Sequence, residues 1–132
     1  MKNILTKILK FSKVSIPAKV KTSFLEKFVD SLNVEWLHTD ESYEAIFYLN
    51  EIEHIAHFNL DGKLINLKKN LPLHTAPLCI VQKAALHGEL MNVIEIREEE
   101  IVGYELIVRD ESLIRFSVLL NEKGGLIQKT KL

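Results

Sequence analysis

The sequence predicts an α+β fold made of two tandem αββββ repeats that share one antiparallel eight-stranded sheet, with the helices on one face. Two stretches have apolar residues at the three- and four-residue steps of a helix, and each precedes four short runs typical of strands. Landmarks of the first half recur in the second at an offset of 60 to 62 residues, which indicates an internal duplication. Runs of strands with segregated helices favour an antiparallel sheet.

The first predicted helix covers residues 16–32. Ser15 is a suitable N-cap, and Pro17 is tolerated in the first turn, where backbone amides have no partner within the helix. Asn33 is expected to end the helix in the left-handed conformation. One side of this helix carries the apolar residues expected to pack on the sheet: Val20, Phe24, Leu25, Phe28, Val29 and Leu32.

The first four predicted strands cover residues 34–38, 43–49, 54–60 and 63–67. Asp61-Gly62 between the last two is a strong hairpin signal, because such a turn needs positive φ. Connections this short require antiparallel neighbours. Alternation assigns the following residues to the face covered by the helices: Tyr43, Ala45, Phe47, Ala56, Phe58, Leu106, Val108, Phe116 and Val118.

The second half repeats this order. A shorter helix at residues 76–86 is predicted to bury Leu78, Val81 and Ala85, and Gly88 is expected to end it. Strands are predicted at 90–97, 101–109, 113–120 and 125–129, after a linker at 71–73. The paired landmarks are Ser15-Ile16-Pro17 with Thr75-Ala76-Pro77, Tyr43-Glu44 with Tyr104-Glu105, and Gly62 with Gly124. We therefore expect residues 1–14 to be an N-terminal basic segment and residues 15–132 to be a single domain with repeats at 15–70 and 71–132.

Charge and hydropathy limit the classes of partner. The net charge of −1 provides no global field that would recruit nucleic acid. Residues 1–25 carry six lysines and no acidic residue, and residues 2–12 have helical apolar spacing, which is compatible with a short helix on the domain or with a leader. No run reaches the roughly 20 apolar residues of a membrane span. The absence of a visible signal peptide favours a cytoplasmic protein; the alternative is a periplasmic or exported protein whose leader was removed.

No pattern of residues indicates catalysis, a cofactor or a metal site, so the protein is expected not to be an enzyme. His54 and His57 are three residues apart on a predicted strand and should point to opposite faces. Cys79, the only cysteine, lies in an apolar stretch and is expected to be a buried, inert thiol. Trp36 is expected in the core, with an exposed contact role as the alternative. The acidic run 98–100 is expected to be a solvated hairpin tip.

Several segments occur in an order that is found in a known family. They are Val34-Glu35-Trp36, Tyr43-Glu44-Ala45-Ile46-Phe47, Asp61-Gly62-Lys63-Leu64, Pro72, Tyr104-Glu105-Leu106-Ile107-Val108 and Glu122-Lys123-Gly124-Gly125-Leu126. This order resembles the small bacterial PepSY-like domains, which are related in fold to the β-lactamase inhibitor protein, and the resemblance extends from about residue 15 to the C-terminus. It implies two tandem αββββ units in one sheet, and an exported binding or inhibitory module rather than an enzyme.

The predicted function is a non-catalytic binding or inhibitory module that acts through protein–protein contacts. The alternative is a small-molecule or lipid carrier with a pocket between helices and sheet. The partner is an unknown protein, and a homo-oligomer is a further alternative. The candidate partner-binding residues lie on the sheet face away from the helices: Ile46, Tyr48, His57, Ile107, Arg109 and Arg115. Their mixture of aliphatic, aromatic and arginine groups suits protein contacts. The alternatives are a solvated face, or one covered by the N-terminal segment through Ile4, Ile8 and Phe11.

Overall fold

The structure, a computed structural model, describes residues 15–132, so the predicted basic segment 1–14 lies outside the described residues. The helices and strands, in chain order, are α1 (Ala18–Lys27), β1 (Leu32–Thr39), β2 (Ser42–Leu49), β3 (Ile52–Asn59), β4 (Leu64–Leu71), α2 (Leu78–Ala84), β5 (Glu89–Glu98), β6 (Ile101–Arg109), β7 (Arg115–Asn121) and β8 (Leu126–Lys131), with a 3₁₀ turn at Leu73–Thr75 before α2. The strands form an eight-stranded antiparallel sheet in which they neighbour one another in chain order. The predicted α+β class is confirmed.

The chain divides into two compact units, of which the first ends at Leu67 and the second begins at Lys68. In unit 1, α1 packs on its strands through an aromatic core. The buried members of this core are Val20, Phe24, Phe28, Ala45, Phe47, Ala56 and Phe58. The ring centroids of Phe24 and Phe47 lie 5.1 Å apart and those of Phe28 and Phe47 lie 4.8 Å apart, distances at which aromatic pairs stabilise a core beyond their buried area.

Helix α1 is shorter than predicted. It ends at Lys27, and Phe28 leaves the helical region with φ −127° and ψ 63°. Leu25 and Val29, predicted to pack on the sheet, are 55% and 78% exposed. The helix begins after Pro17 with no side-chain cap, so the predicted capping role of Ser15 is wrong. Asn33 has the expected left-handed φ of 54°, but it lies inside β1, at an irregularity of the strand pairing.

Unit 2 has an aliphatic core, and α2 presents a different face from the predicted one. The buried residues of this core are Ile80, Ala84, Val93, Val102, Tyr104, Leu106, Val108, Val118 and Leu120. Leu78 is 71% exposed and Ala85 is also exposed, whereas Ile80 and Ala84 are fully buried. Both sets of residues have helical spacing, so periodicity did not distinguish them within a helix of seven residues.

The predicted hairpin turns are confirmed and have the same geometry in both units. Asn59 Oδ1 accepts hydrogen bonds from the backbone amides of Asp61 at 3.0 Å and Lys63 at 2.9 Å. Asn121 Oδ1 accepts them from the amides of Lys123 at 3.0 Å and Gly125 at 2.8 Å. The φ angles of Gly62 and Gly124 are 85° and 88°. An asparagine side chain that replaces a backbone acceptor stabilises such a turn locally.

Candidate functional site

The face of unit 1 opposite α1 has an apolar centre. We call this the outer face of unit 1; its residues on β1–β3 are Glu35, Leu37, Glu44, Ile46, Tyr48, Glu53, Ile55 and His57. Ile46 lies directly opposite Ile55 in the strand register, and Leu37 lies one row away. These three residues form a cluster distinct from the aromatic core, and they are 5–8% exposed. Ile46 is therefore on the predicted face, but its side chain is sheltered from solvent.

Three glutamates surround this centre. Glu35 pairs across the strands with Ile46, Glu44 with Leu37 and Glu53 with Tyr48. Residues directly opposite in an antiparallel pair project to the same face, so all three carboxylates belong to the outer face. Strands β1–β3 contain no lysine, arginine or aspartate. The outer face of unit 1 is therefore acidic as well as apolar.

The two remaining predicted residues of unit 1 lie at the border of this centre. Tyr48 is 41% exposed, and its side chain is available for contacts. His57 is half-buried, and its Nδ1 lies 3.3 Å from the side-chain amide nitrogen of Asn66 on β4. Among the predicted residues of unit 1, Tyr48 is thus the most accessible.

The face of unit 2 opposite α2 combines aliphatic side chains with arginines. We call this the outer face of unit 2; its residues are Asn92, Ile94, Ile96, Glu105, Ile107, Arg109, Arg115, Ser117 and Leu119. Arg109 pairs with Arg115 in the register, and Arg109 Nη2 donates to Glu89 Oε2 at 2.9 Å. Arg115 is exposed, and Ile107 is half-buried. The structure therefore places Ile107, Arg109 and Arg115 on one face.

A buried polar atom also belongs to the outer face of unit 2. Asn92 lies opposite Ile107, and its Nδ2 donates to Asn70 Oδ1 at 3.0 Å. Asn92 Oδ1 is buried and has no hydrogen-bond partner among the described residues.

Tyr104 lies on the helix-covered face of unit 2, within a group of charged residues. It pairs with Glu95 in the register, and Glu95 Oε1 lies 3.4 Å from Arg97 Nη2. Burial raises the pKa of the Tyr104 phenol above its ordinary value, and the nearby carboxylates of Glu95 and Glu122 raise the pKa further. Arg97 partly opposes this shift. The group holds Tyr104 in its neutral form.

We expect the Tyr104→Phe variant to lose less stability at alkaline pH than the wild-type chain. The unfolded chain releases this proton near pH 10, whereas the folded chain releases it only at higher pH. The contribution of the neutral phenol is therefore complete below about pH 10 and is lost as the pH rises through the raised pKa. Urea denaturation of the wild-type chain and of the Tyr104→Phe variant between pH 8 and pH 11 measures this difference. If the free energy of unfolding falls equally with pH in both proteins, the raised pKa of Tyr104 is contradicted.

The histidines and the cysteine do not form a common site. His54 is buried and stacks on Phe47 with a centroid distance of 5.3 Å, whereas His57 projects to the outer face, as predicted from their spacing. Within residues 15–132, no group of three histidine, cysteine or acidic side chains has the geometry to hold a metal ion. Cys79 is exposed, so the prediction of a buried thiol is wrong. It lies in the first turn of α2, away from the buried positions Ile80 and Ala84.

The predicted environments of Trp36 and of the acidic run 98–100 are confirmed. Trp36 packs against the aromatic core of unit 1, with its ring centroid 5.2 Å from that of Phe24. The acidic run 98–100 is exposed at the β5–β6 turn, where Glu99 has a φ of 54°. No helix in the described part of the chain is long and apolar enough to cross a membrane.

Several solved structures share this fold. A DUF2874 family protein from Bacteroides uniformis has a TM-score of 0.79 at 17% identity, with 87% of this chain and 88% of the other covered. A BLIP-like protein from Bacteroides fragilis has a TM-score of 0.77 at 11% identity, with coverage of 92% and 89%. A candidate periplasmic protein from Bacteroides eggerthii has a TM-score of 0.77 at 17% identity, with coverage of 89% and 90%. No protein-family model and no curated protein matches the sequence. The chain therefore has a BLIP-like fold.

The sequence interpretation missed the residues that complete the outer face of unit 1. Leu37 and Ile55 form its apolar centre with Ile46, and Glu35 and Glu53 lie beside it. Alternation along β1 and β3 could have identified these residues. Residues that lie an even number of positions apart on a strand project to the same face, and each of these residues is separated in this way from another residue of the outer face.

Proposed function

We propose that the protein is a non-catalytic binding module that acts through protein contacts on the outer faces of its sheet. The observation that carries this proposal is the outer face of unit 2, where half-buried Ile107 and Leu119 lie on a surface with Arg109 and exposed Arg115. Aromatic residues and arginine are enriched at protein interfaces, and apolar side chains form their centres. The BLIP-like description of the fold neighbour from Bacteroides fragilis supports an inhibitory form of this module.

The carrier alternative has less support in unit 1. The space between α1 and its strands contains the rings of Phe24, Phe28, Phe47 and Phe58, with Phe24 at 5.5 Å from Phe28 and 6.4 Å from Phe58 between centroids. A ligand pocket needs a cavity in such a layer. The close ring packing favours a structural role for these side chains.

We also propose that residues 15–132 are one domain of two repeats, 15–70 and 71–132, of the PepSY-like type. The matching asparagine turns at Asn59 and Asn121 support a duplication. An exported location is favoured over a cytoplasmic one by the description of the neighbour from Bacteroides eggerthii as a candidate periplasmic protein.

The double substitution Tyr48→Glu with Ile107→Lys tests the binding function. Both residues lie on outer faces, so we expect the fold to be retained with a loss of at most about 1 kcal/mol in unfolding free energy. The variant should no longer capture the proteins that the wild-type chain captures from a bacterial lysate, or should no longer self-associate. The reason is that a charge placed in an apolar contact is left without a partner. Quantitative mass spectrometry of the captured proteins and sedimentation velocity provide the measurements.

The matched control is Leu78→Lys with Leu86→Lys. These two residues are 71% and 75% exposed on and after α2, so the control also introduces charge at exposed leucines. It should capture the same proteins as the wild-type chain. The proposed surface would be refuted if the face variant, Tyr48→Glu with Ile107→Lys, keeps every interaction of the wild-type chain. It would also be refuted if the control loses the same interactions as the face variant. Unfolding of the face variant would show that these residues belong to the core.

A further inference from the structure

Strand β8 has an open edge in unit 2. It stands at the end of the strand order in the described part of the chain and pairs with β7 on one side. All six of its residues, Leu126–Lys131, are exposed, whereas every other strand contains residues that are at least half-buried. The open edge of a sheet presents unpaired backbone N–H and C=O groups, with which an extended segment of another protein can pair.

The hydrogen bonds between β7 and β8 identify the backbone groups that point to this edge. The backbone N–H of Leu132 donates to the carbonyl oxygen of Arg115 at 3.0 Å, so these two opposite residues form a hydrogen-bonded pair. Hydrogen-bonded and non-hydrogen-bonded pairs alternate along antiparallel strands. Lys131 and Lys129 lie one and three positions before Leu132 and therefore belong to non-hydrogen-bonded pairs. Their N–H and C=O groups point away from β7, toward the open edge.

The side chains of these two residues make the edge positively charged. The register places Lys129 opposite Val118 and Lys131 opposite Phe116, so both lysines lie on the helix-covered face. Lys129 Nζ lies 4.6 Å from the centroid of the Phe116 ring, an attraction that holds this cation beside the strand pair. Among the described residues, neither lysine forms an ion pair. Both ammonium groups are therefore available to a carboxylate from a partner.

The elements next to this edge add positive charge and no negative charge. Strand β7, strand β8 and helix α2 contain no acidic residue. Lys83 of α2 lies against the β7–β8 turn, because a Cβ added to Gly124 would lie 2.7 Å from its Cγ. The nearest acidic residues in the chain belong to turns at the two ends of the strand pair, Glu122 in the β7–β8 turn and residues 110–111 in the β6–β7 turn. The strand itself therefore presents only cations.

The same lysines oppose the pairing of β8 with a second copy of this chain. In an antiparallel pairing of two β8 strands centred on Lys129, the two Lys129 side chains are directly opposite one another. In a pairing centred on Thr130, Lys129 of each copy is opposite Lys131 of the other. Like charges in these positions are destabilising, and lysines protect sheet edges from self-association in this way. A strand that brings carboxylates to the same positions is favoured instead, so the charge selects an acidic partner.

We propose that the open edge of β8 binds an extended, acidic segment of a partner protein, which adds to the sheet as a further strand. The outward N–H and C=O groups of Lys129 and Lys131 hold the backbone of the segment. Carboxylates at alternate positions of the segment lie beside the two ammonium groups. This edge is separate from the outer faces of the sheet, so the proposal does not rest on the binding function proposed above.

Two synthetic peptides test the proposal by NMR on the isotope-labelled full-length chain. The probe is a blocked peptide of alternating glutamate and valine, and the matched peptide has lysine in place of each glutamate. The glutamate peptide should shift the amide signals of Lys129 and Lys131. At saturation it should slow the exchange of these two amides with solvent by about tenfold or more, because their N–H groups become hydrogen-bonded. The lysine peptide should have neither effect.

Two variants separate the backbone and the charge contributions. Lys129→Pro removes an N–H that points to solvent, a change that an edge strand tolerates, so the urea midpoint should stay near that of the wild-type chain while peptide binding weakens by about tenfold or more. Lys129→Glu with Lys131→Glu should reverse the preference, so that the lysine peptide binds and the glutamate peptide does not. The matched control reverses Lys19 and Lys21, two exposed lysines of α1, and should bind the glutamate peptide as the wild-type chain does.

Three results would overturn the proposal. The first is that the wild-type chain binds neither peptide at millimolar concentration, or binds both alike. The second is that the signals affected by the glutamate peptide lie outside β8, or that the charge-reversed variant of β8 keeps the wild-type preference. The third is that the amides of Lys129 and Lys131 become protected without peptide as the protein concentration rises, which would make a second copy of the chain the occupant of the edge.

Discussion

The substitution Phe24→Ala should lower the free energy of unfolding by about 3–5 kcal/mol. Phe24 is 2% exposed and lies within ring-contact distance of four aromatic side chains. Alanine removes both the buried ring and the edge-to-face contacts with Trp36 and Phe47, at centroid distances of 5.2 and 5.1 Å. Single domains are commonly stable by only about 5–15 kcal/mol, so this loss is a large fraction of the total.

The neighbouring position provides the control for this prediction. Leu25 is on the same helix but 55% exposed, so Leu25→Ala should change the stability by no more than about 0.5 kcal/mol. Chemical denaturation followed by the fluorescence of Trp36, the only tryptophan, measures both variants. Similar losses at Phe24 and Leu25, or a loss below about 1 kcal/mol at Phe24, would contradict the description of the aromatic core.

The strand faces could be predicted from the sequence because their pattern has a period of two. Ala45 and Phe47 on β2 and Ala56 and Phe58 on β3 are fully buried beneath α1, as alternation required. A shift of one residue would move every side chain of a strand to the opposite face of the sheet. One correctly assigned row of apolar residues therefore determines the whole face. The predicted strand ends differ by a few residues, most at β4, which was predicted to end at residue 67 and continues to Leu71, the first residue of the predicted linker.

The helices were less predictable because helical spacing does not show where a helix stops or which of two faces is buried. Val29 continues the apolar spacing of α1, yet it lies beyond Lys27 and is 78% exposed. In α2 the same spacing fits Leu78 and Val81 or Ile80 and Ala84, and packing in unit 2 selects the second pair. The exposure of Cys79 follows from that rotation of the helix.

The candidate site was predictable in position but not in accessibility. Alternation alone assigned Ile46, Tyr48 and His57 to the outer face. The shelter of Ile46 depends on Leu37 and Ile55 from two other strands. Their alignment follows a register that includes an irregularity between Leu32 and Glu35, which no local pattern reveals.

The substitution Gly62→Ala should destabilise the protein by about 2 kcal/mol or more, and Gly124→Ala by about 1–2 kcal/mol. Both glycines occupy equivalent asparagine turns with φ of 85° and 88°, so alanine has a similar conformational cost at each. The two positions differ in their surroundings. An added Cβ at Gly62 would lie 2.7 Å from the backbone oxygen of Lys19 in α1, whereas at Gly124 it would lie 2.7 Å from the side-chain Cγ of Lys83.

A lysine side chain can change rotamer, whereas the backbone of α1 is held by the packing of Val20 and Phe24 in the core. Relief of the overlap at Gly62 therefore has to displace the helix, and this adds to the cost of the left-handed conformation. Urea midpoints of the two variants, measured against the wild-type chain, test the difference. Equal losses, or a larger loss at Gly124, would show that the first turn of α1 does not lie against the β3–β4 turn as closely as the distances to Lys19 require.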